Sequence, residues 1–467
     1  MGIIDTLRGH TSRLMGDQTS LYGKIVRSGS WVTAGHVVEI ALRLGSSLIL
    51  TRLLSPAAFG IMATAQVFLY TATMLSDVGI RSLVITHEDS DDPTFLRTVW
   101  TFQALRGAVV AAIKAGTGYL LAIAQGQNWL SERISFSEPV LPGSVAALGI
   151  SFVCEGFKST NEYVLARDLR QEILVMINVV TKICGTFLTV AIVYWTLSVW
   201  GFVYAILLTA ALRASLSLFL IPGIDMKPAL DREYLRQLVT RGKWLGLNSW
   251  TTLVYNTADK VVLGAVFGSQ FLGIYTLANT LVEAVRTLLM KVTSSIVLPT
   301  VVKVLENGQN ASTNLKKLKT VINASHVLMF VAIGVGGPAF VLLAYDARYA
   351  GAAVIASILA LRVLYAANSV NVAIFERLQD FRFLAINSAW RAGVVLAALY
   401  GFASYGYVYL AIAAYASGSL LSAIFAIRRL VTLPFIDKRY ELVWLGVFVA
   451  LLPAPLAAYY LLESTPL

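Results

Sequence analysis

Long apolar stretches, each bounded by short polar segments, follow one another along almost the whole chain. A helix needs about 20 mostly apolar residues to cross a bilayer. Thirteen stretches meet this requirement, at 28–50, 60–85, 97–123, 138–157, 173–194, 199–220, 244–267, 271–298, 320–344, 351–375, 383–404, 406–427 and 442–462. Strands of a membrane barrel would be half as long and would alternate in polarity. The pattern therefore predicts an all-α polytopic membrane protein.

The two halves of the chain share one register. An offset of 213 residues aligns Gly29, Trp31, Gly60, Ile61 and Ala65 with Gly242, Trp244, Gly273, Ile274 and Ala278, without a gap. Each half has six spans and the same orientation, which predicts two six-helix bundles related by a parallel repeat, plus one extra C-terminal helix. Chance similarity between apolar segments is the alternative. A duplicated bundle of this kind encloses a site between its halves and predicts transport.

The spans divide the chain into five predicted segments. These are a cytoplasmic amphipathic N-terminus (1–27), an N-lobe (28–222), a cytoplasmic amphipathic linker (223–243), a C-lobe (244–430) and a C-terminal extension with the thirteenth span (431–467). Residues 229–243 have apolar positions at helical spacing and are interpreted as a helix at the membrane interface. A plain solvated linker is the alternative.

Composition and charge agree with a membrane protein. Hydrophobic residues make up 57% of the chain and charged residues 13%, and the mean hydropathy is +0.71. The net charge of +11 comes from basic residues in alternate loops, which predicts a cytoplasmic N-terminus and argues against nucleic acid as a partner. Cys154 and Cys184 are interpreted as small buried hydrophobes, and the histidines lack metal-ligand spacing, so no metal site is expected.

Charged residues inside the predicted spans are mostly basic. The basic residues are Arg43, Arg106, Lys114, Lys182, Arg213, Lys260, Arg286, Arg362 and Arg391, and the acidic residues are Glu39, Asp77, Asp259 and Glu283, with Glu155 toward a helix end. Spacings of three or four residues predict intrahelical pairs for Glu39–Arg43, Asp77–Arg81 and Glu283–Arg286. The remaining cations predict a wet cavity that attracts an anion such as phosphate. For Lys114 and Lys182, snorkelling to the interface is the alternative.

Asp259 and Lys260 are adjacent within one of these spans. On a helix their side chains point about 100° apart, so they do not address one ligand from the same face. Lys260 is interpreted as an anion contact. Asp259 is interpreted as a partner for an arginine of a neighbouring helix.

Three stretches resemble a known family. "LTRLLSPAAFGIMATAQVF" with "LSDVGIRSLVI" in the first half, and "ADKVVLGAVFGSQFLGIYTLANTL" in the second, are similar to the polysaccharide transporter family of the multidrug/oligosaccharidyl-lipid/polysaccharide (MOP) exporter superfamily. The resemblance runs through most of spans 1 to 8 and is only hydropathic beyond residue 300. It implies a flippase of the bacterial inner membrane that moves an undecaprenyl-diphosphate-linked oligosaccharide from the cytoplasmic to the periplasmic leaflet. It also implies two six-helix lobes around a cationic central cavity, and alternating access with proton or sodium coupling as an option.

The resemblance gives the cations of the spans a role. The candidate diphosphate-binding residues are Arg43, Arg106, Arg213, Lys260, Arg286, Arg362 and Arg391, and the candidates for ion pairing or coupling are Glu39, Asp77, Asp259 and Glu283. Position within the family places Arg43 and Arg106 among the cavity cations, and Asp259 and Lys260 within its signature. Family members usually have twelve or fourteen spans, so the thirteenth span is a departure.

The expected partners follow from the same resemblance. They are a polyprenyl-diphosphate-linked oligosaccharide and membrane lipids, with a polysaccharide polymerase and the export machinery as further candidates; no cofactor is expected. One alternative is a drug/cation antiporter of the same superfamily, whose cationic substrates would favour an acidic cavity. Another is a membrane-embedded polysaccharide polymerase or ligase. The longest external loop, 124–138, carries only Glu132, Arg133 and Glu138 as charges, which argues against an enzyme.

Overall fold

The structure, a computed structural model, describes residues 21–76, 79–87, 91–130, 135–168, 170–307 and 310–455. These residues form helices, turns and connecting segments, and the described part of the chain contains no β-strand. Ten helical segments within it are long and apolar enough to cross a membrane. The prediction of an all-α polytopic membrane protein is therefore confirmed. The predicted N-terminal segment lies mostly outside the described residues.

The chain divides into two compact units. Unit 1 comprises Met1–Leu53, Ala65–Leu130 and Pro139–Leu253, and unit 2 comprises Leu54–Thr64, Ser131–Glu138 and Val254–Leu467. Two short pieces of the first half of the chain, 54–64 and 131–138, thus group with residues of the second half.

The helices that begin in the first half of the chain are of unequal length. They are α1 (Leu21–Leu53), α2 (Pro56–Leu75), α3 (Ile80–Thr86), α4 (Pro93–Gly126), α5 (Leu141–Leu148), α6 (Ile150–Gly156), α7 (Asn161–Arg167), α8 (Gln171–Thr196) and α9 (Val199–Leu220). A 3₁₀ turn at Ser135–Ser137 precedes α5. Predicted span 4 is therefore built from two short helices that meet at Gly149.

The second half begins with the longest helix. Its helices are α10 (Arg232–Asn307), α11 (Ala311–Ala344), α12 (Ala352–Leu359), α13 (Leu361–Leu364), α14 (Ser369–Arg377), α15 (Phe381–Ser404), α16 (Val408–Ala416), α17 (Gly418–Leu430) and α18 (Lys438–Ala450), with 3₁₀ turns at Ala347–Tyr349 and Tyr365–Asn368. Gly268 (φ 79°, ψ −177°) breaks α10 between predicted spans 7 and 8. Only glycine adopts this backbone conformation readily.

Gln103 explains how the broken span 4 ends inside unit 1. The last carbonyls of a helix have no partner within the helix. The buried Gln103 side chain on α4 donates from Nε2 to the carbonyls of Glu155, Gly156 and Lys158, each at 3.2 Å. Its Oε1 accepts from the Tyr163 hydroxyl at 3.0 Å. One buried amide thus satisfies the carbonyls at the end of α6.

The start of α10 belongs to unit 1 and packs within it. Asp231 caps it by accepting from the backbone N–H of Glu233 at 2.9 Å. Leu238 is buried in a core cluster with Phe95 and other apolar residues of α3 and α4, and the Tyr234 hydroxyl donates to Asp92 at 3.1 Å. The apolar side of this predicted linker helix is therefore covered by protein.

Asp92 joins this linker to the start of α4. It caps α4 by accepting from the backbone N–H groups of Thr94 and Phe95. The Thr94 N–H, together with the Tyr234 hydroxyl, holds the pKa of Asp92 below its usual value. Residues 91–95 thus form a docking point for the linker.

Candidate functional site

Glu283 of α10 is the centre of a charged cluster within unit 2. Its carboxylate accepts two hydrogen bonds from Arg286, at 2.8 Å from Nε and 2.6 Å from Nη2. Residues three apart share a helix face, and the pair forms as their spacing predicts. Arg362 of α13 approaches the same carboxylate from another helix, with 3.5 Å between Nη2 and Oε2.

Arg362 is held by neutral groups as well. Its Nη1 donates to the Asn279 side-chain oxygen at 2.7 Å, and its guanidinium lies 5.2 Å from the centre of the Tyr415 ring. An aromatic face attracts a desolvated cation. Arg362 lies on α13, a short helix between α12 and a 3₁₀ turn, where it meets these partners.

The Glu283 cluster carries an excess of positive charge. Two guanidinium groups share one carboxylate, and the side chains of Glu283 and Arg286 are 26% and 29% exposed, whereas that of Arg362 is 12% exposed. Guanidinium groups bind phosphate and carboxylate oxygens in bidentate geometry. The exposed side of the cluster can therefore accept an anion.

Asp259 lies deeper in unit 2 and has a different partner from the predicted one. It is 1% exposed, and its Oδ2 accepts a hydrogen bond of 2.5 Å from the buried Tyr275 hydroxyl. Its Oδ1 has no hydrogen-bond partner among the described residues. No hydrogen bond from an arginine to Asp259 is found among the described residues. Tyr275 lies on the part of α10 after the break at Gly268. Its hydroxyl takes the place of the expected arginine as the hydrogen-bond donor.

Lys260 follows Asp259 and differs from it in environment. It is half-buried, and the structure records no partner for its ammonium group among the residues that it describes. Its charge is therefore available, as the sequence predicts for an anion contact.

Arg213 of α9 belongs to an ion pair in unit 1. Its Nη2 donates to Glu162 at 3.0 Å and its Nε to Asn178 at 2.9 Å, with both charged side chains largely buried. Glu162 neutralises Arg213, so Arg213 is not part of an unbalanced positive charge. The sequence gives no sign of this pair, because Glu162 lies in a segment between predicted spans 4 and 5.

Arg106 and Lys114 of α4 both bind backbone carbonyls of α2. Arg106 donates from Nη1 to the Ser76 carbonyl at 2.9 Å, at the end of α2 where the helix dipole favours a cation. The buried Lys114 ammonium bonds to the Phe68 carbonyl and lies over its ring. Lys114 therefore does not snorkel.

The other predicted site residues are scattered. Arg43 on α1 is exposed and has no partner among the described residues, because Glu39 contacts His36 at 3.2 Å and not Arg43 as predicted. Arg391 on α15 is half-buried and has an interaction partner. Asp77 lies outside the described residues.

Sequence reasoning missed an ion pair in the second half of the chain. Lys319, predicted in a basic loop, is buried on α11 and pairs with the buried Glu441 of α18. The pair borders a small pocket that Asn323, Asn368 and Asn371 also line, together with apolar side chains. Glu441, a carboxylate in the first turn of α18, was the available sign in the sequence of a partner for a buried cation.

Comparisons with known proteins show the family and the fold. The model of a family described as "Polysaccharide biosynthesis protein" matches residues 49–354. The chain is 21% identical over 338 residues to the lipopolysaccharide biosynthesis protein WzxC of Escherichia coli (strain K12), a match that covers 71% of this chain and 65% of that protein. The matched region thus spans just under two thirds of this relative.

Solved transporters share the fold at low identity. The lipid II flippase MurJ, in an inward closed conformation, gives a TM-score of 0.63 at 13% identity, covering 93% of each chain. An inward-facing multidrug resistance MATE family transporter of the MOP superfamily gives 0.59 at 13% identity, covering 87% of this chain and 95% of that one. The chain thus shares the fold of these two solved proteins.

These findings bear out the resemblance seen in the sequence. The family match covers well over half of the chain, and the fold is that of MOP transporters. The chain is an integral membrane protein that belongs to the polysaccharide biosynthesis protein family.

Proposed function

We propose that the protein is a flippase that moves a polyprenyl-diphosphate-linked oligosaccharide, with undecaprenyl as the lipid, from the cytoplasmic to the periplasmic leaflet of the bacterial inner membrane. The product would serve exopolysaccharide or O-antigen synthesis. The name of the Escherichia coli relative, a lipopolysaccharide biosynthesis protein, supports this substrate class. The fold shared with a lipid II flippase supports the type of movement.

The Glu283 cluster is the observation that carries the proposal. Charge at membrane depth is costly and is usually functional. The charges of Arg286 and Arg362 together exceed that of Glu283. Arg286 is partly exposed and Arg362 is largely buried, so Arg286 is the more accessible contact for a diphosphate. Arg43 and Lys260, which have no acidic partner among the described residues, are further candidates for this role.

The charge balance also separates the proposal from its main rival. An exporter of cationic drugs would need acidic groups open to its ligand, whereas the acid of this cluster is already bound by two arginines. A polymerase or ligase finds no support in any described group. Asp259 is the candidate for coupling to a proton or sodium gradient, because it is buried and its Oδ1 has no hydrogen-bond partner in the part of the chain that the structure describes. Imposing each gradient separately on proteoliposomes, with Asp259→Asn as the variant, tests that assignment.

Substitution of the arginines tests the binding role. Arg362→Ala and Arg286→Ala should each lower the rate of flipping by about tenfold or more, since a charge-assisted contact is worth about 1.5–3 kcal/mol. Leaflet-resolved labelling of the lipid-linked oligosaccharide in cells measures the rate. Lys182→Ala, which removes an exposed lysine on α8, is the matched control and should flip normally.

Two results of the same labelling measurement would contradict the proposal. Accumulation of substrate on the periplasmic face in cells depleted of the protein would identify a polymerase. Normal flipping in both arginine variants would remove the Glu283 cluster from the substrate path.

A further inference from the structure

The start of α2 and the part of α10 after Gly268, both in unit 2, cross with their backbones in direct contact. A Cβ atom at Gly60 on α2 would lie 1.7 Å from the carbonyl oxygen of Ser269 on α10. A Cβ atom at Gly273 would lie 1.8 Å from the carbonyl oxygen of Pro56. Both obstacles are backbone atoms, which no side-chain rotation can move. Alanine at either position therefore requires the two helices to separate.

The crossing is reciprocal. Gly60 and Gly273 are 213 residues apart, and so are Pro56 and Ser269, which is the offset of the predicted repeat. Each helix thus offers an equivalent glycine and an equivalent carbonyl to the other. A two-fold pseudo-symmetry axis through the crossing produces such a contact, as in an isologous interface.

Two 3₁₀ turns cover the crossing in the same reciprocal manner. At the turn Ser135–Ser137, Ser135 lies against Gly264 of α10, where a Cβ would be 2.7 Å from its Oγ. The neighbouring Glu138 accepts a 2.6 Å hydrogen bond from the Ser269 hydroxyl. The turn from the first half of the chain therefore packs on a helix of the second half.

The other turn, Ala347–Tyr349, makes the opposite contact. The fully buried Tyr349 donates from its hydroxyl to the carbonyl of Leu54 at 3.1 Å. Its ring meets that of Phe59 edge to face, with 5.6 Å between the centres. The turn from the second half thus packs on the start of α2. These contacts explain why residues 54–64 and 131–138 group with unit 2.

All of these segments lie on one face of the membrane. Each connects an odd-numbered predicted span to the following even-numbered one: 1 to 2, 3 to 4, 7 to 8 and 9 to 10. The basic loops follow even-numbered spans, so this face is opposite to them. With the predicted cytoplasmic N-terminus it is the periplasmic face.

We infer that the Gly60–Gly273 crossing and its two covering turns form the outer closure of the transporter, which must part for substrate to leave on the periplasmic side. The direction of release rests on the proposed flippase function. The closed contact itself does not depend on that function. Its tightness comes from backbone contact at two equivalent glycines, and the Glu138–Ser269 and Tyr349–Leu54 hydrogen bonds hold the turns over it.

A buried reporter tests the closure. Thr64, which is 2% exposed and bonds to Ser135 at 3.2 Å, is replaced by cysteine in protein that lacks Cys154 and Cys184. Gly60→Ala or Gly273→Ala should then raise the rate of its labelling by a membrane-impermeant maleimide, added outside, by about tenfold or more. Gly116→Ala, at a helical glycine with no atom near its added Cβ, should leave the rate unchanged.

A second reporter separates opening from misfolding. Ser144→Cys, at a fully buried position of unit 1, should stay unlabelled in the same glycine variants. Slow labelling of Thr64→Cys in glycine variants that are folded would overturn the inference. The labelling needs no substrate, so its outcome does not depend on whether the protein flips a lipid-linked sugar.

Cross-linking supplies an independent readout if the glycine variants fail to fold. Glu138→Cys and Ser269→Cys, joined by a short thiol-cleavable reagent, should stop flipping, and reduction should restore it. Flipping at the normal rate while the cross-link is intact would contradict an outer closure at this place. Absence of flipping in the uncross-linked parent would count against the proposed function and not against the closure.

Discussion

At the scale of single residues, Lys319 and Glu441 show how a buried charge is made tolerable. Both side chains are almost fully buried. Moving two charges out of water costs hydration free energy, and their mutual attraction offsets this cost only while both partners are present. Removal of one partner therefore costs far more than removal of both.

Glu441→Gln leaves Lys319 buried without a counter-charge and should destabilise the protein by about 3–5 kcal/mol. Thermal unfolding of the purified protein in detergent measures the loss. Asp437→Asn is the control, because it breaks the exposed pair with Lys316 (2.5 Å) while retaining a side-chain oxygen that can cap α18. The control should shift the unfolding temperature little. Equal shifts in the two variants would contradict the argument.

Residue partners were the least predictable part of the candidate site. The pair Glu283–Arg286 could be predicted because both residues lie on one helix, three positions apart. The partners of Arg213 and Asp259 come from segments 51 and 16 residues away. Sequence spacing carries no information about such contacts, which depend on how helices and turns pack.

At the scale of elements, the spans are predictable and their interruptions are not. A span must be apolar for about 20 residues whatever it packs against, so hydropathy finds it. How a helix ends depends on its partners, as at the end of α6, where the Gln103 amide of α4 donates to the Gly156 carbonyl. For the thirteenth span, α18 begins at Lys438, four residues before the predicted start, and residues 456–462 of the predicted span lie outside the described residues.

Gly268 allows a prediction about one such interruption. Gly268→Ala should destabilise the protein by about 1–3 kcal/mol, because its backbone conformation is essentially restricted to glycine. Thermal unfolding in detergent is again the measurement. Gly401→Ala, within α15 and with open space around its added Cβ, should have no such cost. A stability equal to that of the parent would show that the chain can make this turn with another conformation.

At the scale of the whole molecule, the positive loops predict orientation. Gln127→Cys, in an exposed position after α4, should react with an impermeant maleimide in intact spheroplasts. Lys227→Cys, between α9 and α10 and exposed as well, should react only after permeabilisation. The reverse result would invert the proposed topology. The parent for both variants lacks Cys154 and Cys184.

The helix crossing at Gly60 and Gly273 has a consequence for how such proteins diversify. The contact is made by carbonyl oxygens and glycine backbones, so it does not depend on the identity of neighbouring side chains. Substitutions elsewhere in the protein can then accumulate without loosening this contact.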